Sequence, residues 1–139
     1  MQIVATVGYN ACMTFGEFDA LVKQAVEELP AGFAAALANV EIVAEVWPTE
    51  DDERSGQAGH GYHLFGLYRG VPQTHRSNYN AALPDKIAIF AGPILSAYWP
   101  DMTAVRRQIK STVLHEIGHH FGMTEEQIRK AERARKNRG

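Results

Sequence analysis

The sequence predicts a single domain that mixes α-helices with a few short β-strands, and three observations carry that expectation. Its 139 residues are the size of one ordinary domain, enough to bury a core without disulfides or other staples. Apolar residues recur at helical spacing in two long stretches, 15–29 and 102–121. Short runs rich in Val and Ile, bounded by Gly and Pro, lie between them and read as strands.

Taken in order, residues 1–12 are apolar enough for a short strand, which Gly8 and Asn10 weaken. Thr14 and Glu17 then have the spacing of a capping box. Phe18, Leu21, Val22, Ala25, Val26 and Leu29 follow at helical spacing, so 15–29 is an amphipathic helix ending before Pro30. A second short helix fits Phe33 to Ala38. Val40 to Trp47 reads as a strand stopped by Pro48. Thr49 to Gly61 reads as a polar loop in which Glu50, Asp51, Asp52 and Glu53 repel one another and stay solvated.

His63 to Arg69 is the next strand. Gly66 and Pro72 point to a sheet edge or to close backbone approach. Such an edge either takes an extended peptide by strand addition or is covered by its own loop, and both readings stay open here. Gln73 to Pro84 is loop-like and carries Arg76 and Tyr79, side chains suited to steadying a developing oxyanion. Asp85 to Phe90 is a strand closed by Gly92-Pro93, and Ile94 to Trp99 an apolar short helix or lid.

Asp101 is placed to cap the main helix, about Met102 to Phe121. On a helical wheel Val105, Ile109, Val113, Leu114, Ile117 and Phe121 form one arc, which must face the core. His115 and His119 fall just outside that arc; His120 falls inside it and reads as a buried structural histidine or a support to the ligands. Gly122 suits the left-handed residue that ends a helix. Thr124 and Gln127 open a final helix, Glu125 to about Lys136, whose late cations Arg129, Lys130, Arg133, Arg135 and Lys136 suit its dipole.

The chemistry is concentrated in His115-Glu116-Ile117-Gly118-His119, an H-E-x-x-H pattern. Residues four apart on a helix project from nearly the same side, so both imidazoles can reach one Zn²⁺. Glu116, turned by about 100° from His115, sits beside that metal and can take a proton from water. Composition adds exclusions. A net charge of −2 argues against nucleic acid or a membrane as the main partner. The lone Cys12 cannot form an internal disulfide, and the N-terminus has no cationic start or cleavage site of a signal peptide. No run is long and apolar enough for a transmembrane helix, so a cytoplasmic setting is expected.

Three stretches together resemble the small bacterial zincin-like metallopeptidases, sometimes called minimal zincins. They are Leu64 to Pro72 (Leu-Phe-Gly-Leu-Tyr-Arg-Gly-Val-Pro), Leu83 to Ile87, and Thr112 to Glu125 with its His-Glu-Ile-Gly-His-His-Phe-Gly-Met centre. The resemblance covers about the last two-thirds of the chain. It implies an α+β domain, a small mixed sheet with packed helices. It also implies zinc on the motif helix and an edge strand, Leu64, Phe65, Gly66, Leu67 and Tyr68, lining a cleft for a peptide or protein substrate. The family pattern resembles H-E-x-x-H-x-x-G-x-x-D, whose last position is the proposed third ligand. Here that position is Glu125, an acid that also suits the first turn of a helix. Two functions are therefore carried forward: a zinc peptidase with Glu116 as base, and a zinc-stabilised peptide- or protein-binding module without turnover. His60, His63 and His75 are the residues with which such a module would close its metal site.

Overall fold

The computed structural model describes residues 6–7, 10–11, 13–33, 37–55, 64–70 and 85–137. Its elements run β1 (Thr6–Val7), β2 (Asn10–Ala11), α1 (Phe15–Glu27), a 3-10 turn (Ala31–Phe33), β3 (Val40–Glu45) and α2 (Glu50–Ser55). Then come β4 (Gly66–Arg69), β5 (Asp85–Phe90), α3 (Ala91–Tyr98), α4 (Met102–His120) and α5 (Glu125–Asn137). Among the described residues no helix is long and apolar enough to cross a membrane.

The sheet is small and mixed. β5 lies in the middle, parallel to β3 with Val40 opposite Asp85, and antiparallel to β4 with Gly66 opposite Ile89. The expected α+β class is what the chain adopts. Ile87, Ala88, Ile89 and Phe90 are all fully buried, as a central strand covered on both faces requires. Ile87 and Ile89 join the main core with Phe18 and Val22 of α1, Ile94 and Leu95 of α3, and Val105, Ile109, Val113 and Ile117 of α4. The helical arc read from the sequence is therefore the buried face of α4, with one correction. Phe121 is 51% exposed, because the helix ends at His120 and the next residue leaves helical geometry (φ −95°, ψ 13°), turning its ring out of the stripe.

Capping agrees with the sequence at three helices. Thr14 and Glu17 close a full capping box on α1, Asp101 Oδ1 accepts from the Ala104 N–H at 3.1 Å, and Thr124 and Gln127 bond reciprocally at the start of α5. A fourth such start overturns, as far as Ser55, the loop expected over Thr49–Gly61. Thr49 N–H donates to Asp52 Oδ2 (2.9 Å) and Asp52 N–H to Thr49 Oγ1 (3.1 Å), which opens α2. Repulsion among the acids is relieved from outside the segment. Arg69 donates to Asp52 through Nε (3.0 Å) and Nη2 (2.6 Å), and to both oxygens of Glu45 (2.6 and 2.9 Å). These bonds to Arg69 hold the Asp52 carboxyl below the usual carboxylate range.

Other differences are local. The single N-terminal strand is instead an antiparallel pair, with Thr6 opposite Ala11 and Val7 opposite Asn10. Of the short helix expected over Phe33–Ala38, residues 34–36 lie outside the described set, and a 3-10 turn precedes them. α3 begins at Ala91 rather than Ile94; Pro93 is tolerated in its first turn, where no helical partner exists for its missing N–H.

Candidate active site

Two glycines set the geometry around α4. At Gly66 an added Cβ would stand 2.4 Å from Thr112 Cγ2 and 3.0 Å from the Ala88 carbonyl, so only glycine lets α4 lie this close to β4. The close approach anticipated at Gly66 is thus real, and β4 is also an edge of the described sheet. At Gly118 a Cβ would meet Ile128 Cδ1 and Cγ1 at 2.6 and 2.7 Å, so α5 folds back tightly onto the metal-motif turn. Between them Gly122 (φ +73°) reverses the chain, with Met123 N–H bonded to Gly118 O (2.8 Å) and Gly122 N–H to His119 O (3.3 Å). That pair of bonds is a Schellman turn, and it aims α5 back at α4.

The result brings His115, His119 and Glu125 together. Glu125 Oε2 lies 3.3 Å from His115 Nε2, and its Oε1 lies 3.1 Å from His119 Nε2. The two rings stand 5.9 Å apart at 79°. Glu125 has its carboxyl held below the usual range, chiefly by the His119 hydrogen bond. Glu116 is half-buried beside them, and its carboxyl accepts a hydrogen bond from the backbone N–H of Tyr68 in β4. Burial pushes the Glu116 pKa up, against the pull of His119, that hydrogen bond and His115. One end of α4, the start of α5 and the edge of β4 thus meet at a single place.

The donor set is chemically that of a zinc site, two imidazole nitrogens and a carboxylate. Among the described residues no three His, Cys, Asp or Glu side chains form a finished cage for an ion, since these donors aim at one another. The two His–Glu125 separations, 3.3 and 3.1 Å, are near the roughly 3.3–3.4 Å that separates two ligands of a tetrahedral zinc bound at roughly 2.0–2.1 Å each. The tautomer fits as well. His115 Nδ1 is 2.7 Å from the Ser111 carbonyl, which fixes the ring hydrogen there and leaves a lone pair on Nε2.

Of the expected edge residues, Gly66 and Tyr68 face α4, while Leu67 pairs with Ala88 on the opposite face. Leu64 and Phe65 precede the strand and are half-buried, Phe65 packing on Tyr98 with ring centres 6.0 Å apart. His120 is not buried, contrary to its place on the wheel. It is exposed and stacked on the Tyr68 ring (3.8 Å, 11°), its Nε2 2.9 Å from a Tyr68 hydroxyl that donates to Asp85 Oδ2 at 2.7 Å. The last residue of α4 thus lies against the ring of an edge-strand tyrosine rather than inside the core. His60, His63, His75, Arg76 and Tyr79 lie outside the described residues.

Two neighbours of His115 escaped the sequence reading. One is the Ser111 carbonyl, for which the i, i+4 spacing to His115 was a usable signal. The other is Glu132 of α5, whose Oε1 lies 3.6 Å from His115 Nδ1. A family model described as zincin-like metallopeptidase matches residues 37–134, a span that holds all of these groups. The chain belongs to that family. Within the zincin-like domain the matched segment starts after α1 and runs through most of α5. Comparison with curated proteins finds no match. Among solved structures the domain is similar to a conserved hypothetical protein from Thermo thermophilus. The two are 26% identical, with a TM-score of 0.53 over 78% of this chain and 94% of that one, which supports the same fold.

Proposed function

We propose that this zincin-like domain is a zinc-dependent peptidase. The observation that carries the reading is the meeting of His115, His119 and Glu125 with Glu116 at the edge of β4. The two Nε2 atoms and the Glu125 carboxylate would hold a zinc ion, which would polarise a scissile carbonyl and acidify water. Glu116 accepts the proton from that water at its carboxylate and delivers it to the leaving amine nitrogen. Its raised pKa suits the uptake step, since a more basic carboxylate takes a proton from water more readily near neutrality. Among the described residues β4 is an edge of the sheet, the position from which a strand would take an extended peptide beside the base.

Glu116→Gln tests this. The variant is expected to keep zinc at wild-type stoichiometry while hydrolysis of a fluorogenic peptide library falls by a factor of at least about 10². Cleavage by the variant at the wild-type rate would remove Glu116 from the mechanism. The second reading, a binding module, draws on the closed set of bonds from Glu125 to both histidines, which ties α5 to α4 with or without turnover. It predicts that the wild-type protein takes up zinc, retains peptides and cleaves none.

A further inference from the structure

Glu132 has a carboxylate oxygen, Oε1, that is buried and has no hydrogen-bond partner. A native chain seldom keeps such an atom without a use. The nearest ring nitrogen is His115 Nδ1, at 3.6 Å, just beyond bonding range. That nitrogen is bonded to the Ser111 carbonyl at 2.7 Å, with Ser111 Oγ at 3.3 Å. The other nitrogen of the same ring faces Glu125. Glu125, Ile128 and Glu132 are spaced i, i+3, i+7, one face of α5, and Ile128 pins that face against Gly118. A single helix therefore brings one carboxylate to each side of the His115 imidazole.

We propose that Glu132 is a positioning residue for His115, taking up its Nδ1–H when the ring binds a metal through Nε2. The inference rests on the zinc reading above. Ligation draws electron density out of an imidazole, so its remaining N–H becomes a stronger donor and favours a charged acceptor over a neutral carbonyl. The approach needed is small, since 3.6 Å must shorten to within about 3.0 Å. The move would give Glu132 Oε1 the partner it lacks and hold the ring with its Nε2 lone pair toward the metal.

The test compares wild type, Glu132→Ala and Glu132→Gln as full-length chains. Zinc affinity, measured by competition with a chromophoric chelator, is expected to fall roughly 10–100-fold in the alanine variant and to recover in part in the glutamine variant. In zinc-loaded wild type the His115 Nδ1 proton, followed by ¹H–¹⁵N NMR, is expected to move downfield on loading and to lose that shift in Glu132→Ala. The metal-free melting temperature controls for packing and should not drop in Glu132→Ala, since the change removes an orphaned oxygen. Equal zinc affinity in all three chains, or an unaltered Nδ1 proton, overturns the role of Glu132 and leaves the zinc reading standing. A wild-type chain that takes no zinc overturns both.

Discussion

At Glu116 the chain buries a carboxylate between α4 and the edge of β4, where ionisation is costly. Because burial raises its pKa, the folded chain holds this proton more firmly than the unfolded chain does. The stability linked to it is full below the ordinary carboxylate value and drains away as pH rises through the higher folded value. Glu116→Gln keeps an oxygen for the Tyr68 N–H and cannot ionise. In chelator, that variant is therefore expected to melt above wild type at about pH 7–8 and to match it below about pH 4, where both forms are neutral. Scanning calorimetry of the two chains across that range decides it. A glutamine variant that melts lower at neutral pH would mean the carboxylate's interactions with Tyr68 and the histidines outweigh burial. Glu116 is thus placed like a functional group, costly to the metal-free fold.

Among the elements, α5 is positioned by a contact that periodicity only partly announces. Helix limits, caps and the buried arc of α4 were legible because each depends on residues within one or two turns: Thr14 with Glu17, Asp101 with Ala104, Val105 through Ile117. The meeting of His115, His119 and Glu125 spans eleven residues and was legible for the same reason. What stayed hidden depends on partners far along the chain. Thr49–Asp52 became a helix start because Arg69, in another element, absorbs the acids' charge. His120 is exposed and stacked on Tyr68, a partner 52 residues away in β4 that no wheel can show. Glu132 gained its place through the packing of Ile128 on Gly118. That last contact makes a prediction about an element. Gly118→Ala adds a Cβ 2.6–2.7 Å from Ile128 and must push α5 outward. Overpacking of about 1–3 kcal/mol, less about 1 kcal/mol of helix propensity, leaves a modest net loss in denaturant unfolding. Zinc affinity should fall more than stability suggests, because Glu125 moves with the helix. An alanine variant that is destabilised yet binds zinc as tightly as wild type would show that Glu125 is not a ligand.

For the whole molecule, the site joins three elements: Tyr68 in β4, far away in sequence, and the local run of His115 and His119 in α4 with Glu125 in α5. An ion gripped between α4 and α5 in this arrangement favours the folded state and stabilises it. The size of the effect follows from mass action. At a zinc concentration about a hundredfold above Kd the gain is about 2.7 kcal/mol, and for a domain of this length that is roughly 8–10 °C in melting temperature. The same addition should do nothing for a chain carrying His115→Ala and His119→Ala together. It should do less for Glu125→Ala, which keeps two of the three proposed ligands. Two results would count against the assembly. If zinc leaves the wild-type melting point unmoved, no ion is held between α4 and α5. If it raises wild type and the double histidine variant equally, the metal is binding elsewhere, and the convergence of these three elements serves packing alone.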